Sequence, residues 1–312
     1  MNILTKPDKI IIVAAKSRLQ KLKARYNTIS QTKFYMKRKG IDLEDVLEED
    51  YSLQNAVAVA QKELSSILKT KVVDKSFLPN YMFSESDVVV VIGQDGLVAN
   101  TAKYVHGIPI IGVNPEPDRF DGFLLPFNLS EVESVVEKVL DNRYNFTNVT
   151  MAKAKLDDGQ SLLAFNDLFI GPQNHASARY KIHFGNAHEQ QSSSGIIVST
   201  GAGSTGWLSS LINMANGISQ AFSASPVIDQ QRFEWDRDEL VYIVREPFLS
   251  KTSTVQLSAG RILPNNELKI ESLMPKNGVI FSDGIQADYL EFNTGSIAHI
   301  GLAAEKAKLV TS

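Results

Sequence analysis

The feature that most constrains the fold is residues 86–100, where an apolar segment, a glycine-containing turn and a helix start follow one another. The apolar residues 88–92 are too few for a typical globular helix and are rich in β-branching, so they predict a strand covered on both faces. The turn at 93–96 then leads into residues 97–106, whose composition favours a helix. This arrangement directs unpaired helix N–H groups at the sheet edge, where phosphate is the usual ligand.

Asp95 lies inside this turn, and its carboxylate indicates chemistry beyond phosphate binding. A carboxylate beside a phosphate is repelled unless a metal ion, a proton to be abstracted or a positive group offsets the charge. An aspartate at this position is equally a common cap of a helix N-terminus. Spacing alone leaves both interpretations open, because a single short turn is a weak motif.

The composition is that of an ordinary globular protein with room for two domains. The chain has 312 residues, of which 43% are hydrophobic and 21% charged. A net charge of -3 and a pI near 6.0 give no reason to expect a nucleic-acid partner. The absence of cysteine excludes disulfides, thiolate metal sites and cysteine nucleophiles. No apolar run approaches the roughly 20 residues that span a membrane, so we expect a cytoplasmic protein without a membrane partner.

Residues 1–146 predict a Rossmann-like α/β domain with a parallel sheet. Apolar, β-branched segments alternate with helical ones at residues 10–15, 71–73, 88–92 and 108–114. This order is typical of a doubly wound sheet, which binds its ligands at the carboxyl ends of the strands. Gly93 and Asn114 each follow one of these strands, so we expect them at the same edge of the sheet.

Two oppositely charged segments lie between the first two predicted strands. Residues 16–39 contain nine Lys or Arg and no acid, and residues 42–50 contain six acids. The basic segment could face phosphates or an acidic partner, but the acids that follow it favour solvated helices of balanced charge. Apolar residues at spacings of three and four predict an amphipathic helix over residues 51–68.

Beyond residue 146 the pattern changes to short β-rich segments separated by turn residues, which predicts an antiparallel sheet domain or sandwich over residues 147–312. The predicted strands include residues 162–170, 195–200, 254–258 and 278–282. Asn166 and Asp167 place adjacent polar side chains in the first of these, either on opposite faces of the strand or in a turn at its end. Asp283 and Gly284 predict a tight hairpin turn. The five histidines show no metal-ligand spacing.

A second glycine-rich loop, residues 199–207, follows one predicted strand and precedes a helical segment. Its glycines let the backbone approach a ligand closely, and the hydroxyls of Ser204 and Thr205 can donate to phosphate or ribose oxygens. Trp207 can stack on a purine, although a tryptophan one turn into a helix is at least as often part of a core. We expect the two glycine loops to bind one ligand at the interface between the domains.

In their order along the chain, these motifs resemble those of the NAD kinase family, and the resemblance covers nearly the whole sequence. Gly93-Gln94-Asp95-Gly96 is similar to the family's Gly-Gly-Asp-Gly loop, and Asn166-Asp167 is similar to its Asn-Glu pair. Gly203-Ser204-Thr205 resembles its second glycine loop, and Asp283-Gly284 resembles its late Asp-Gly. Residues 112–119, 193–195 and the Trp207 ending are most similar to the divergent branch that includes the mitochondrial NAD kinases of animals.

The resemblance implies a Rossmann-like domain and a β-sandwich domain with NAD bound between them, and transfer of the γ-phosphoryl group of ATP to the 2′-hydroxyl of the adenosine ribose. It implies that Asp95 removes the hydroxyl proton, and that Mg²⁺ bridging the phosphates supplies most of the electrostatic stabilisation. Asn166 and Asp167 would hold the ribose or nicotinamide end, and Trp207 would lie against adenine. The other implied nucleotide-binding residues are Gly93, Gly96, Asn114, Ser194, Gly203, Ser204, Thr205 and Asp283. No residue is implied as a metal ligand, and the family resemblance favours a homo-oligomer.

Four positions depart from the family pattern. Gln94 stands where the family usually has Gly, Leu97 replaces a common Thr, Asp167 is shorter than Glu, and Ser194 stands where most of the family has Asp. Gln94 and Leu97 leave open a non-catalytic, NAD-binding regulatory protein of the same fold. A lipid kinase is a further alternative, although the second glycine loop favours a dinucleotide. The sequence leaves open ATP or polyphosphate as donor, and NAD or NADH as acceptor.

Overall fold

A computed structural model describes residues 7–222 and 233–311 of the chain, which divides into two units. Unit 1 comprises Met1–Thr147 and Lys308–Ser312, and unit 2 comprises Asn148–Ala307. The last residues group with unit 1 because the final strand joins its sheet, whereas the sequence assigned everything after residue 146 to the second domain. No helix in the described ranges is long and apolar enough to cross a membrane.

Unit 1 is built on one seven-stranded sheet. The strands of this sheet are β1 (Lys9–Ala14), β2 (Thr70–Asp74), β3 (Asp87–Ile92), β4 (Pro109–Asn114), β5 (Phe127–Asn128), β6 (Asn145–Val149) and β19 (Ala307–Thr311). The helices are α1 (Arg18–Tyr26), α2 (Ile29–Arg38), α3 (Leu43–Ile67), α4 (Asp95–Ala102) and α5 (Val132–Leu140). The strand order is β2-β1-β3-β4-β19-β6, with β5 also paired to β4, and the pairs among β1 to β5 are parallel. The predicted α/β domain is therefore confirmed.

Strand β3 lies at the centre of this sheet and is buried along its whole length. It pairs with β1 on one side and β4 on the other. Its side chains on one face pack with those of α3 and α5 in the main core of the unit. This complete burial accounts for the uninterrupted β-branched run that the sequence shows there.

The acidic segment forms the first turns of α3, so this helix begins well before the predicted residue 51. The Asp42 carboxylate caps it by accepting the Glu44 N–H at 2.9 Å. Acidic side chains in a first turn are favourable because the helix end there is positive. Asp45 also pairs with Arg119 at 2.6 Å, and with Arg18 of α1 at 4.0 Å. The acidic turns therefore partly neutralise neighbouring basic groups.

The described residues of unit 2 form two six-stranded antiparallel sheets and one long helix. One sheet has the order β11-β10-β15-β18-β7-β8 and the other β14-β13-β12-β9-β16-β17. The strands are β7 (Ala152–Leu156), β8 (Ser161–Ala164), β9 (Asp167–Pro172), β10 (Ala178–Phe184), β11 (Ala187–Ser193), β12 (Ile196–Ser199), β13 (Leu240–Val244), β14 (Ala259–Ile262), β15 (Leu268–Ser272), β16 (Gly278–Ser282), β17 (Ile285–Glu291) and β18 (Ile297–Leu302). Helix α6 spans Trp207–Phe222. Buried side chains from both sheets form one core, which confirms the predicted sandwich-like domain.

Two predicted strands of this unit are wrong in detail. Residues 162–170 are not one strand, because β8 ends at Ala164 and β9 begins only at Asp167. Residues 254–258 form no strand, and the Glu189 carboxylate accepts three of their hydrogen bonds. It accepts from the Thr254 hydroxyl at 2.6 Å, and from the backbone N–H groups of Gln256 and Leu257 at 3.2 and 2.8 Å.

Candidate functional site

The first predicted loop lies at the carboxyl end of the central strand of unit 1. Gly93 follows β3, and α4 begins at Asp95. Gln94 occupies the N-cap position, but its exposed side chain makes no capping hydrogen bond. The first N–H groups of α4 are therefore not capped by a side chain at this edge of the sheet, and they form a donor surface for an anion.

Asp95, the first residue of α4, binds a loop that is distant in sequence. Its two carboxylate oxygens accept the backbone N–H groups of Phe123 and Leu124, at 3.2 and 2.9 Å. The loop that carries these donors packs closely on β4, where a Cβ at Gly112 would lie 2.2 Å from the Leu124 carbonyl oxygen. The carboxylate is thus held in one orientation by two fixed donors, which is an arrangement suited to a positioned base.

Asn114 lies at the same edge of the sheet, as predicted from the strand order, and its side chain organises the following loop. Its amide group donates to the Phe120 carbonyl at 2.8 Å, and its oxygen accepts the Glu116 N–H at 3.0 Å. Gly122 has a φ of +62°, and a Cβ there would lie 2.7 Å from the Asn114 amide nitrogen. Both ends of the amide are therefore used by the protein, and the predicted ligand contact of Asn114 stays a prediction.

The two glycines of the Asp95 loop, Gly93 and Gly96, have different surroundings. A Cβ at Gly93 would meet the Leu97 side chain at 3.0 Å, so Leu97 fills the space behind the turn. A Cβ at Gly96 would meet nothing within 4 Å, and Gly96 is exposed. Protein packing therefore places no demand on a glycine at position 96, whereas close approach of a ligand to this backbone would.

In unit 2 the Asp283-Gly284 pair forms the predicted hairpin turn between β16 and β17. Ser282 pairs with Ile285, and the two turn residues have φ values of +52° and +68°, as the tight two-residue turn requires. The Asp283 carboxylate then accepts the backbone N–H groups of Phe165, Asn166 and Asp167, at 3.1, 2.6 and 3.3 Å. Asp283 therefore holds the connection between β8 and β9, a segment that we call the Asp167 corner (residues 165–167).

The second glycine loop is fastened to the Asp167 corner by Thr200. Its hydroxyl donates to the Phe165 carbonyl at 2.6 Å, and its N–H donates to the Asn166 carbonyl at 2.9 Å. Cβ atoms at Gly203 and Gly201 would lie 2.1 and 2.2 Å from backbone oxygens of Asn166 and Glu234. These glycines are therefore needed for packing within the protein, and the predicted ligand contact of Gly203 stays a prediction.

Asp167 is a buried acid at this corner. It is only 9% exposed, and its carboxylate accepts no hydrogen bond from any residue that the structure describes. Burial, and then the neighbouring Asp283 carboxylate, raise the pKa of Asp167 to about 7. A buried acid without donors is costly, so a ligand that brings hydroxyl donors would stabilise it.

An aromatic cavity lies on the same face of the sheet as Asp167. Alternation along β9 puts Phe169 on the Asp167 face, two residues or about 7 Å away, while Leu168 and Ile170 point into the core. Trp207 stacks on Phe169, with ring centroids 5.8 Å apart and planes at 9°. The Arg245 guanidinium lies 5.5 Å from the Trp207 ring. The cavity has a volume of about 220 Å³, and Phe281, Gln286 and Tyr289 also line it.

The predicted residues of unit 2 do not all lie together. Ser204 is buried and Thr205 exposed in the short 3₁₀ segment Ala202–Thr205, close to the Asp167 corner through Gly203. Ser194 precedes the opposite end of β12, about 16 Å along the strand from Ser199, which pairs with Asp167. The structure therefore separates Ser194 from the corner and places it beside Arg245, whose carbonyl accepts its N–H at 2.9 Å.

Sequence reasoning missed Thr200, Phe169 and Arg245. Period-two alternation from Asp167 would have marked Phe169 as its neighbour on the same face. Nothing in the sequence links Arg245 to Trp207. No described residues form a group of three or more acids or histidines able to hold a metal ion. Mg²⁺ commonly reaches a protein with substrate phosphates and one or two carboxylates, and the Asp95 loop fits that mode.

Comparison with known proteins identifies NAD kinases as relatives. A segment of 181 residues is 26% identical to the NAD kinase of Clostridium kluyveri, over 55% of this chain and 62% of that protein. A segment of 129 residues is 33% identical to the NAD kinase of Heliobacterium modesticaldum, over 39% of this chain and 44% of that protein. The matched segments therefore span less than two thirds of these relatives. No family model matches the chain.

The structure is similar in fold to that of yeast NADH kinase complexed with NADH. The TM-score is 0.58, and the superposition covers 99% of this chain and 85% of the yeast chain at 13% identity. A likeness at this identity concerns the fold alone. The chain thus has the two-domain fold of an NAD(H) kinase and sequence similarity to curated NAD kinases.

Replacing Gly96 by alanine should separate folding from ligand binding. The added Cβ meets no protein atom, so stability should stay the same or rise by up to about 1 kcal/mol. If phosphate approaches this backbone, affinity for ATP with Mg²⁺ should fall by about tenfold or more. Gly217→Ala is the matched control, because Gly217 lies in α6 and also has open space around it. Calorimetric titration checks this, and equal ATP affinity in both variants would remove the phosphate role of Gly96.

Asp167 and Asp283 should respond oppositely to replacement by asparagine. Because the folded pKa of Asp167 lies near 7 and the ordinary value is 3.8, the folded state retains a proton that the unfolded state has lost between these values. Wild-type stability should therefore fall as pH rises from about 4 to 7. Asp167→Asn removes the ionisable group and with it this fall in stability, so the variant should be more stable than the wild type at pH 8, by roughly 1 to 4 kcal/mol.

Asp283→Asn should instead destabilise the protein by about 1 to 3 kcal/mol, because the carboxylate accepts three backbone N–H groups. Chemical denaturation of both variants at pH 5 and pH 8 measures the two effects. If Asp167→Asn raised the free energy of unfolding by the same amount at both pH values, the raised pKa of the buried Asp167 carboxylate would be contradicted.

Proposed function

We propose that the chain is a phosphotransferase that moves the γ-phosphoryl group of ATP to the 2′-hydroxyl of the adenosine ribose of NAD, giving NADP. The observation that carries this proposal is the buried Asp167 carboxylate, which has no hydrogen-bond donor in the described part of the chain. A ribose supplies hydroxyl donors, and the aromatic cavity on the same face suits a planar ring. The similarity to curated NAD kinases supports NAD as the ligand of this class.

In this proposal Asp95 is the general base. Its carboxylate removes the proton from the 2′-hydroxyl, the hydroxyl oxygen bonds to the γ-phosphorus, and the bond from that phosphorus to the β–γ bridging oxygen breaks to release ADP. The N–H groups of Phe123 and Leu124 occupy one acceptor site on each oxygen. The remaining acceptor sites are open to the hydroxyl proton.

The other residues of the two loops bind and orient the substrates. The uncapped N–H groups at the start of α4 contact the transferred phosphoryl group, which Gly96 lets approach. Asp167 accepts hydrogen bonds from ribose hydroxyls, while Asn166, Ser204 and Thr205 provide further polar contacts. Mg²⁺, when bound with the donor phosphates, neutralises charge that develops during transfer.

The ring of Trp207 is partly covered by other side chains, which limits how adenine can stack on it. Phe169 is already stacked parallel to it, and the Arg245 guanidinium is near its ring. We therefore infer that a bound ring contacts the cavity edge formed with Phe281 and Tyr289. On the sequence resemblance, we also propose that the protein belongs to the divergent, mitochondrial-type branch. We further propose that it is cytoplasmic and forms a homo-oligomer.

The direct test incubates the purified chain with NAD, ATP and Mg²⁺ and follows NADP with an NADP-specific dehydrogenase. NADP formation supports the proposal. Tight NAD binding without NADP formation would favour the non-catalytic regulatory protein, for which the substitution at Gln94 provides the argument. Phosphorylation of a lipid such as diacylglycerol, but not of NAD or NADH, would favour the lipid kinase.

Asp95→Asn should lower turnover by about 10²-fold or more, because the amide cannot accept the hydroxyl proton. The amide also presents one oxygen to two N–H donors, so stability should fall by about 1 to 3 kcal/mol. NAD affinity should change little, since the lost interaction belongs to the transition state.

Asp118→Asn is the matched control, because Asp118 is an exposed acid in the neighbouring loop. Turnover and NAD binding are measured at a temperature where both variants are folded. Wild-type turnover in the Asp95→Asn variant would reduce Asp95 to a clamp for the Phe123–Leu124 backbone.

A further inference from the structure

The strand order of unit 1 defines a second binding position beside the Asp95 loop. Strand β1 lies between β2 and β3, and Ala14 at its carboxyl end pairs with Asp74 on one side and with Ile92 on the other. The chain passes from β1 to β2 on one side and continues through β3 and β4 on the other. Open α/β sheets bind ligands where the strand order reverses in this way.

A cavity of about 300 Å³ lies at this point, on the β2 side of β1. The ends of β1 and β2 form one wall, and α3 forms the other. Alanines at positions 14, 15 and 58 keep the cavity open, and the side chains of Val57 and Val72 give it an apolar surface. Its size and mixed lining are those of a small-ligand site.

The polar groups around this cavity match a nucleoside. Gln20, Gln54 and Gln61 supply amides that can donate to, and accept from, ring nitrogens and exocyclic groups. The Asp74 carboxylate is fixed by one oxygen, which accepts the Ser76 N–H at 2.9 Å and the Ser76 hydroxyl at 2.6 Å. Its other oxygen has no hydrogen-bond partner within residues 7–222 and 233–311, and it can accept from ribose hydroxyls.

Lys16, a basic residue that lines this cavity, follows β1, the strand between β2 and β3. It is exposed, and pairs with no carboxylate that the structure describes. Two strand spacings, about 10 Å, separate β2 from β3, which is within the length of an extended nucleoside triphosphate. A nucleotide with its ring in the cavity would therefore pass Lys16 and reach the α4 N–H groups with its phosphates.

We propose that this cavity binds the nucleoside of the phosphoryl donor, with Asp74 on its ribose and Lys16 on its phosphates. The assignment to the donor rests on the proposed function, because the Asp95 loop at the same sheet edge is where transfer would occur. Unit 2 carries its own aromatic cavity and unpaired acid for the acceptor. The donor is then a nucleotide and not a polyphosphate chain.

Filling the cavity tests this assignment. Ala58 is exposed on α3 and lines the cavity, so Ala58→Leu adds bulk there with little loss of helix propensity. Asn55→Leu is the control, because Asn55 is exposed on the same helix and does not line the cavity. Binding of a non-hydrolysable ATP analogue with Mg²⁺, of tripolyphosphate and of NAD is measured separately by calorimetry.

Ala58→Leu should weaken the ATP analogue by about tenfold or more, and leave tripolyphosphate and NAD binding at the level of the Asn55→Leu control. Asp74→Asn keeps the oxygen that caps residue 76, and it should weaken the ATP analogue by about tenfold but not its 2′,3′-dideoxy form. The proposal would be overturned if Ala58→Leu left the affinity for the ATP analogue unchanged. It would also be overturned if Ala58→Leu and Asn55→Leu lowered that affinity equally.

The same data separate this inference from the proposed function. A wild-type chain that forms no NADP, but whose ATP-analogue binding is sensitive to Ala58→Leu, supports the cavity and contradicts the phosphotransferase. A chain that forms NADP with ATP, and in which Ala58→Leu leaves the KM for ATP unchanged, supports the phosphotransferase and overturns the cavity.

Discussion

The hydrogen bonds that the Asp283 carboxylate accepts from three consecutive backbone N–H groups support much of unit 2's candidate site. They fix the connection between β8 and β9, and so set where Asp167 enters its strand. Thr200 bonds to the same connection and brings the second glycine loop against it. Asp95 acts similarly in unit 1, where its two oxygens hold the loop after β4. In each unit a buried or half-buried acid at a turn orders a loop distant in sequence.

This arrangement leaves one charge uncompensated. The Asp283 carboxylate accepts backbone N–H groups, and it lies near the Asp167 carboxylate. The Asp167 oxygens themselves accept no hydrogen bond from residues in the described ranges. Such a group is destabilising, because burial without hydrogen bonds penalises the charged form. A residue that lowers the stability of the free protein in this way is typical of a binding site. The neighbouring aromatic cavity gives the same surface an affinity for a ring.

Local patterns allowed much of the fold to be predicted from the sequence. The β-branched run of β3, the Asp283-Gly284 turn and the short β-rich segments after residue 146 depend on nearest neighbours, and the structure contains the strand, the turn and the antiparallel sheets that they predict. The contacts that define the site are not local. Asn166 and Asp283 are 117 residues apart in sequence, and no periodicity encodes their hydrogen bond. The predicted strand over residues 254–258 was wrong for the same reason, since its backbone bonds go to a distant glutamate.

We propose that a dinucleotide donates hydroxyl hydrogen bonds to the unpaired Asp167 carboxylate. Carbon-13 NMR of the Asp167 carboxyl group, titrated with and without saturating NAD, tests it most directly. We expect the pKa of Asp167 to lie near 7 in the free protein and to be lower with NAD bound, because donated hydrogen bonds favour the charged form. Titration curves that coincide with and without bound NAD would contradict it.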